Sequence, residues 1–380
     1  MFLLADEDCD PYEKPPLSKS VLMGAAEPES KLIVDGAALA TAGVDFVRGA
    51  IATKIDRARG EVHLADRPPL PYDALVLATG AKARMLAALP PGMANVHYLR
   101  TAADALVLRD GLRRQGRSRG VVVVGAGLIG LEAAAAAATA SAATTVLEAG
   151  ASAMARVCSA DFARIVVDHH VRAGVRFRFG TTIEAASVLD GGVALRLSDG
   201  DNLLAGIVIV GIGATPDVDL AVAAGLPVAE GILVDDRCRT ADPRIFAAGD
   251  VARFRTRWCS DPARLENWRH ALDQGLVAGT NAAGGAAVYE CVPSFWSDQY
   301  ELMIQGTGWT DGLAIAPLRR ILGEGRVIEF HVRDGRVRYA VGIGVAREIN
   351  IVRRLIERQV AVTAQTLSDP AVSLQGLLRS

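Results

Sequence analysis

The chain has 380 residues, of which 51% are hydrophobic, 22% charged and 5% aromatic, with 38 glycines and a formal net charge of −2. A chain of this length can form two or three domains with their own cores, and the composition is typical of a globular protein rather than a disordered one. The near-neutral charge and scattered basic residues predict no nucleic-acid partner, and no apolar run indicates a membrane span.

The start of the chain, MFLLADEDCDPYEK, differs from a secretory signal. Such a signal needs a basic start and a longer apolar stretch, whereas acidic residues already begin at Asp6. We therefore expect a cytoplasmic protein.

The five cysteines are widely spaced and form no C-x2-C or C-x4-C pair. Zinc sites and redox-active dithiols usually show such pairs, so we expect neither a protein metal site nor a covalent cysteine intermediate. The cysteines are Cys9, Cys158, Cys238, Cys259 and Cys291.

Parallel strands are predicted before and around the middle of the chain. The stretch YDALVLATGA predicts a buried strand at residues 74–78 that ends at Thr79 and Gly80. Four valines at Val121–Val124 predict a second strand, which runs through glycines into a series of helix-forming residues. TTVLE at Thr144–Glu148 follows as a parallel strand, so this region forms one βαβ unit.

The loop of this unit has the G-x-G-x-x-G pattern of dinucleotide-binding folds. Gly125 permits the tight turn, Gly127 lets backbone N–H groups approach a pyrophosphate, and Gly130 lets helix and strand pack closely. Glu148, at the end of the next strand, is placed to accept hydrogen bonds from adenosine ribose hydroxyls. A 2′-phosphate would meet this carboxylate, so we expect NADH rather than NADPH.

The chain continues to alternate between buried strands and glycine-rich turns. Strands are predicted at residues 193–200, 207–210, 232–234 and 245–248. Strands that alternate with helices in this way favour a doubly wound α/β architecture.

The last 80 residues have a different pattern. RVIEFHVRDGRVRYAVGIG predicts a hairpin that turns at Asp334 and Gly335. REINIVRRLIERQV predicts an amphipathic helix, so we expect a separate α+β domain. The apolar side of that helix consists of Ile349, Val352, Leu355 and Ile356.

Six motifs together resemble those of the FAD-dependent NADH:ferredoxin reductases, the electron-transfer partners of bacterial dioxygenases and cytochromes P450. PPLSK combined with FWSDQ distinguishes this branch from glutathione-reductase-like enzymes. The motifs are PPLSK (15–19), LVLATGA (75–81), VVVGAGLIGLE (122–132), VIVGIGATPD (208–217), IFAAGD (245–250) and FWSDQ (295–299).

The resemblance implies two Rossmann-like, three-layer ββα dinucleotide-binding domains and a C-terminal α+β domain. Residues 1–98 and 221–296 would bind FAD, residues 99–220 would bind NADH, and residues 297–380 would form the C-terminal reductase domain.

The resemblance also implies roles for individual residues. Asp250 would hold the ribityl and phosphate region of FAD, and Arg84 would lie near the FAD phosphates. Glu266, Trp268 and Trp296 would border the isoalloxazine ring. Further cofactor contacts would come from Pro16, Thr79, Gly80, Leu128, Ile129, Gly211, Gly213 and Gly249.

Lys19 and Glu132 are the candidate catalytic residues. The resemblance implies that Lys19 lies by the flavin N5 edge and faces Glu132, so that the two tune the charge there. Without it, Lys19 reads as a helix-face lysine and Glu132 as a first-turn acid that stabilises a helix N-terminus. The two tryptophans could equally be core aromatics, and Asp250 a helix N-cap.

Family members carry an earlier βαβ unit that binds the ADP half of FAD, and the resemblance implies that this unit is absent here. MFLLADED then reads as its second strand, with Asp6 or Glu7 as the ribose-binding acid. About 30 residues before Met1 would complete the unit, and without them its neighbouring strands keep open edges. Two explanations for the absent unit are open: a start codon assigned too far downstream, and a truncated chain that cannot retain flavin.

Three positions depart from the family pattern. Lys14 stands where the family usually has Arg before the two prolines, Ala83 where it has Pro, and Asp217 where it has Asn. A lysine offers a point charge instead of a forked contact, so cofactor affinity is the property that these changes affect.

The resemblance implies an enzyme that transfers hydride from NADH to FAD and then passes electrons singly to a ferredoxin-type iron–sulfur protein in a transient complex. Alternatives are a flavin reductase that uses rubredoxin, a quinone or oxygen, and a truncated, flavin-free NADH-binding remnant. We expect a monomer or homodimer without nucleic-acid or membrane partners.

Overall fold

The computed structural model describes residues 1–116, 119–259, 261–310 and 316–379, which form two compact units. Unit 1 comprises Met1–Lys14, Glu27–Lys82 and Ala214–Cys291. Unit 2 comprises Pro15–Ala26, Ala83–Gly213 and Val292–Ser380. The boundaries of these compact units differ from those of the FAD-binding, NADH-binding and C-terminal domains predicted from the sequence, and that domain division stays a prediction.

The α-helices and strands follow in chain order. The helices are α1 (Gly36–Thr41), α2 (Ala102–Gly111), α3 (Leu128–Thr139), α4 (Ala160–Arg172), α5 (Asp219–Ala223), α6 (Trp268–Ala282), α7 (Ala346–Glu357) and α8 (Ala364–Ser368). The first twelve strands are β1 (Phe2–Leu4), β2 (Asp45–Val47), β3 (Ala52–Asp56), β4 (Glu61–Leu64), β5 (Leu70–Pro71), β6 (Leu75–Leu77), β7 (Ala81–Ala83), β8 (Val96–Tyr98), β9 (Val121–Val124), β10 (Thr144–Glu148), β11 (Arg176–Phe179) and β12 (Ile183–Leu189). The others are β13 (Gly192–Leu197), β14 (Asn202–Ala205), β15 (Ile207–Val210), β16 (Ala214–Pro216), β17 (Ile232–Val234), β18 (Ile245–Ala247), β19 (Ala252–Phe254), β20 (Ser294–Gln299), β21 (Leu302–Gly308), β22 (Leu318–Ile321), β23 (Val327–Arg333) and β24 (Arg336–Ile343).

Unit 2 contains a five-stranded parallel sheet in the order β11-β10-β9-β15-β8. The four valines of β9 are buried on both faces of this sheet. Val121 and Val123 share a core with helices α2 to α4, whereas Val122 and Val124 share a second core with the antiparallel sheet β12-β13-β14. The continuous valine run therefore forms the middle of three layers, as expected for a strand covered on both faces.

The C-terminal part of unit 2 is a five-stranded antiparallel sheet in the order β20-β21-β24-β23-β22. The predicted hairpin forms β23 and β24, and helix α7 packs on this sheet through the four predicted apolar positions, all of which are buried. Ile304, Val341 and Ile343 of the sheet lie in the same core as helices α3 and α4. The predicted α+β region thus shares one core with the dinucleotide-type layer.

Unit 1 is built from pairs of parallel strands and one antiparallel sheet, β3-β4-β5. β1 pairs with β2, β6 with β18, and β17 with β19. In the described part of the chain these pairs form separate sheets, and Phe2 of β1 is half exposed. Helix α6 packs against both β6 and β18, which positions the turn after β18.

Most predicted strands agree with the structure to within one residue at each end. The exception is the strand predicted at residues 193–200, which ends at Leu197 because the next residues form the turn to β14. In that turn the amide of Gly200 donates to the carbonyl of Leu197 at 3.0 Å. Across the described ranges, no helix is long and apolar enough to cross a membrane.

A buried arginine fastens the C-terminal segment. Arg320 of β22 is 3% exposed, and its guanidinium donates to backbone carbonyls of the segment that begins in α8. These carbonyls belong to Thr366, Leu367, Pro370 and Val372. Burial lowers the pKa of Arg320, as expected when a cation is compensated by dipoles instead of a carboxylate.

Arg320→Met should lower the free energy of unfolding by about 2–4 kcal/mol, because the substitution leaves several buried carbonyls without donors. Urea unfolding measures the loss, and limited proteolysis should show earlier cleavage after residue 363. Arg336→Met is the matched control, since the exposed Arg336 donates to one carbonyl, that of Gln359. Equal losses in the two variants would contradict the proposed anchoring.

Glu329 of β23 joins the C-terminal sheet to the start of α4. It is fully buried and accepts hydrogen bonds from the amide of Ser159 at 3.0 Å, from the Ser159 hydroxyl and from His331 Nε2 at 3.0 Å. Burial alone would raise the pKa of Glu329, but the hydrogen bonds from His331 and Ser159 hold this pKa below its ordinary value. The ionised carboxylate therefore stabilises the contact between sheet and helix.

The stability that Glu329 contributes should be complete above the ordinary carboxyl pKa and should be lost as pH falls through the lowered pKa of the folded state. The difference in unfolding free energy between wild type and Glu329→Gln should thus shrink between about pH 6 and pH 3. Urea midpoints across this range measure it. The exposed Glu184→Gln should show a difference below about 1 kcal/mol throughout, and a pH-independent effect of Glu329→Gln would refute the prediction.

Candidate functional site

The predicted glycine loop joins β9 to α3, and two of its three glycines allow the backbone to pack closely there. Gly125 has a φ of +101°, and a Cβ on it would lie 2.5 Å from the carbonyl oxygen of Gly211. A Cβ on Gly130 would overlap the carbonyl oxygen of Gly125. The ends of β9 and β15 and the first turn of α3 can meet only because these positions lack side chains.

Gly127 differs from these glycines because a Cβ on it would meet no atom within 4 Å. It is the N-cap of α3, and its φ of −77° suits any residue. The helix start has no side-chain cap, and the following Ile129 is 48% exposed whereas Leu128 packs on the core. Open space beside uncapped helical N–H groups fits a pyrophosphate.

Glu148 ends β10 beside this loop. Its Oε2 accepts a hydrogen bond from the amide of Ala126 at 2.7 Å, and its Oε1 accepts one from the amide of Gly150 at 2.8 Å. The carboxylate therefore braces the glycine loop, and its predicted role at a ribose stays a prediction. The motif alone did not predict this bracing.

Lys19 and Glu132 form a buried ion pair in unit 2, with Nζ and Oε1 3.1 Å apart. Glu132 is 3% exposed and is the fifth residue of α3, so the interpretation as an ordinary first-turn acid is wrong. Ser18 donates to Glu132 Oε2, and Ser297 donates to Oε1 at 2.5 Å. Burial raises the pKa of Glu132, while Lys19 and the two hydroxyls act in the opposite direction.

The short segment PPLSK presents Lys19 to this pair. Pro15–Ser18 forms one 3-10 turn that contains Pro16, and Lys19 Nζ donates to the carbonyl of Pro15 at 3.3 Å. Nζ also lies 5.9 Å from the centroid of the Trp296 ring in β20. Lys19, Glu132 and Trp296 are thus brought together, and Lys19 is not a lysine on the face of a regular helix.

The polar contacts continue from Glu132 away from Lys19. Gln299 Nε2 donates to Ser297 Oγ at 3.1 Å, and Gln299 Oε1 lies 2.9 Å from His170 Nε2. Ser297, Gln299 and His170 are each fully buried. Sequence reasoning missed all three, although FWSDQ contains two of them; nothing in the sequence marked His170.

In unit 1 the turn after β6 carries Thr79 and Gly80. The Thr79 hydroxyl donates to the carbonyl of Asp217 at 2.6 Å, and the Asp217 amide donates to the carbonyl of Gly80 at 2.9 Å. The Asp217 carboxylate pairs with Lys82 at 2.9 Å. Lys82 also pairs with Asp219 at 2.9 Å, so the departure from the family's Asn gives Lys82 a second carboxylate partner.

A second group in unit 1 surrounds the turn after β18. Asp250 lies in a one-turn 3-10 helix, Gly249–Val251, and is not the N-cap of a longer helix. Arg264 donates to the carbonyl of Asp250 at 3.1 Å and to the carboxylate of Glu266 at 2.6 Å. From α6, which starts at Trp268, the buried Gln274 accepts from the amide of Gly249 at 2.8 Å.

Arg84 and two of the positions that depart from the family pattern, Lys14 and Ala83, have the following places in the structure. The amide of Arg84 donates to the carbonyl of Gly213 at 2.9 Å, within unit 2. Lys14 in unit 1 pairs with Glu7 at 2.8 Å, and Ala83 ends β7. In the described ranges, no cluster of three or more His, Cys, Asp or Glu side chains could hold a metal ion, and no disulfide joins any two of the five cysteines.

Two family models match the chain. Residues 2–275 match the pyridine nucleotide-disulphide oxidoreductase family, and residues 294–378 match the reductase C-terminal family. Together they account for both the dinucleotide-type layers and the C-terminal sheet.

Several relatives match almost the whole chain. The ferredoxin–NAD(+) reductase component of the anthranilate 1,2-dioxygenase system of Burkholderia cepacia is 36% identical over 97% of this chain and 90% of its own length. Putidaredoxin reductase of Pseudomonas putida is 35% identical over 99% of this chain and 90% of its own. The solved covalent putidaredoxin reductase–putidaredoxin complex superposes with a TM-score of 0.94 at 33% identity, covering 100% of this chain and 91% of that one.

Gly127→Ala and Gly130→Ala should separate binding from folding. Gly130→Ala forces the backbone apart and should lower the unfolding free energy by about 3 kcal/mol or more. Gly127→Ala should leave stability within about 0.5 kcal/mol, yet weaken NADH binding at least about tenfold, because its Cβ enters the space next to the helical N–H groups. Urea unfolding and titration calorimetry measure the two effects; unchanged NADH affinity in Gly127→Ala would count against this site.

Proposed function

The chain belongs to the pyridine nucleotide-disulphide oxidoreductase family, within the ferredoxin–NAD(+) reductases that carry a reductase C-terminal domain, and we propose that it transfers electrons from NADH through FAD to a ferredoxin. Bound FAD supplies the chemistry, since it accepts a hydride from NADH and releases electrons singly. Relatives between 33% and 36% identical over 97–99% of the chain support this function.

The observation that carries the proposal is the buried Lys19–Glu132 pair beside Trp296. An ammonium group that is only 13% exposed and held by a buried carboxylate presents a fixed positive charge, and a fixed charge near a redox centre changes its electron affinity without needing to reorganise. Lys19 would act at the N5 edge of the flavin, and Glu132 would hold Lys19 in place.

The chain offers suitable groups to both dinucleotides. In unit 2 the open space at Gly127 and the uncapped start of α3 would hold the NADH pyrophosphate, with Glu148 at its ribose. In unit 1 Asp250 and Thr79 would hold and orient FAD, and Arg264 fixes the backbone of Asp250. We extend this to Trp268, Glu266 and Arg84 as further FAD contacts.

Recognition of NADH over NADPH follows from Glu148. Its two carboxylate oxygens already accept hydrogen bonds from backbone amides, so the carboxylate cannot swing away from the ribose without breaking them. A 2′-phosphate would meet a fixed negative charge there.

The electron acceptor is a ferredoxin-type iron–sulfur protein, bound transiently. One solved relative is putidaredoxin reductase in a covalent complex with putidaredoxin, which supports a partner of this class. We propose that the enzyme acts in the cytoplasm as a monomer or homodimer, without nucleic-acid or membrane partners.

The visible absorption spectrum of the FAD-loaded protein, before and after anaerobic addition of NADH, tests the function. The flavin bands should bleach with NADH and much less with NADPH. Addition of a bacterial [2Fe–2S] ferredoxin, with cytochrome c as the final electron acceptor, should then reoxidise the flavin and allow continuous turnover of NADH. Lys19→Met should slow bleaching about 10- to 100-fold, because the fixed charge is lost.

Lys54→Met is the control, because Lys54 is 61% exposed in β3 and should leave the rate unchanged. A protein that binds NADH but takes up no FAD would reject the reductase function in favour of an NADH-binding protein. Bleaching with NADH but turnover only with rubredoxin, a quinone or oxygen would reject the ferredoxin.

A further inference from the structure

We propose that Gln299 and His170 are positioning residues that keep Glu132 a hydrogen-bond acceptor, and therefore ionised and paired with Lys19. The four side chains Glu132, Ser297, Gln299 and His170 form one buried chain of hydrogen bonds. This positioning role extends the proposed function to residues beyond the ion pair, and its relevance to electron transfer rests on the proposed function.

The direction of the chain follows from which atoms can donate. Ser297 has one hydroxyl proton, and its oxygen already accepts from Gln299 Nε2, so that proton is available to Glu132 Oε1. The Gln299 amide is oriented by its other end, where Oε1 accepts from His170 Nε2–H. Every donor in the chain then points towards Glu132.

The reverse direction has a specific cost. A Glu132 protonated at Oε1 would donate to Ser297, Ser297 would donate to a flipped Gln299, and Gln299 would donate to His170 Nε2, which moves the ring proton to Nδ1. His170 Nδ1 is buried and has no hydrogen-bond partner among the described residues. A proton there would be a buried, unpaired donor, so the structure favours the Nε2–H tautomer.

The surroundings of both ends support this assignment. Phe177 and Tyr300 pack edge-on against the His170 ring, and burial lowers its pKa, so the ring is neutral. The neighbouring charged or titratable groups are His169, which contacts Glu301 at 3.4 Å, and Tyr300 itself.

At the other end, the segment PPLSK presents Lys19 and Ser18 to Glu132, and β20 presents Ser297. Lys19 is the charged group in contact with the Glu132 carboxylate. Burial raises the pKa of Glu132 and the hydrogen bond from Ser297 opposes that rise, so the loss of an aligned donor should shift Glu132 towards the protonated form.

Two substitutions of His170 give a matched test. His170→Phe keeps a ring but removes the donor, whereas the amide of His170→Gln can place a donor where Nε2 stood. Infrared absorption of the protonated carboxyl group, titrated with pH and assigned by its loss in Glu132→Gln, reports the state of Glu132 directly. His170→Phe should raise the proton affinity of Glu132 about tenfold, and His170→Gln should titrate like the wild type.

Tyr300→Phe is the control for packing, because it alters the surroundings of His170 without touching the chain. It should titrate like the wild type. Gln299→Leu should reproduce the effect of His170→Phe, and it supplies a second variant if His170→Phe does not fold. A shift in Tyr300→Phe equal to that in His170→Phe, or none in a folded Gln299→Leu, would overturn the proposal.

A second measurement separates this proposal from the proposed function. In the FAD-loaded protein, the acid limb of the pH profile for flavin reduction by NADH should move to higher pH in His170→Phe and not in His170→Gln. The infrared titration needs neither flavin nor NADH. If the infrared titration of Glu132 shifts as expected but NADH does not reduce the flavin, the proposed function alone is rejected. If NADH reduces the flavin normally but the titration does not shift in His170→Phe, the positioning role is rejected.

Discussion

The burial of one carboxylate, that of Glu132, constrains how unit 2 is assembled. A buried charge is tolerated only when it is paired and hydrogen-bonded, and the donors come from two distant parts of the sequence. The PPLSK segment supplies Ser18 and Lys19, and strand β20 supplies Ser297. Helix α3 therefore cannot bury Glu132 unless the segment before residue 20 and the C-terminal sheet are both in place. The pairing of a dinucleotide-type layer with a reductase C-terminal domain, seen in the family matches, has a local physical basis here.

The sequence predicted the regular parts of this arrangement well, since they depend on local patterns. The four valines of β9 form an unbroken buried run, as in a strand covered on both faces, and the apolar face of α7 lies where the helical period placed it. Pairings between distant segments leave no such pattern. Ser18 and Ser297 stood within recognised motifs, yet nothing in the motifs said that both would bind one carboxylate. His170 is one of two adjacent histidines on α4, and only the fold shows that it, and not His169, reaches Gln299.

The glycine loop shows how a motif can combine separate requirements. Gly125 and Gly130 are needed because backbone atoms approach where a side chain would stand, a requirement of the folded chain alone. Gly127 meets no neighbour, so its lack of a side chain matters only to something that binds. Glu148 would combine both roles, because its carboxylate braces the loop through Ala126 and is also the group proposed to bind the ribose. The spacing of the motif is the same whichever role each position serves, which is why the structure was needed to separate them.

The core that the C-terminal sheet shares with helices α3 and α4 limits how such enzymes can be recombined. Ile304, Val341 and Ile343 pack into the same cluster as the alanines of α3 and Phe162 of α4. A chimera joined at the start of the C-terminal region, near residue 294, would pair one parent's sheet with the other parent's helices. Close-packed interiors respond to changes of even one methylene. Exchange of the C-terminal region between relatives would therefore require a graft that carries both helical surfaces along with the sheet.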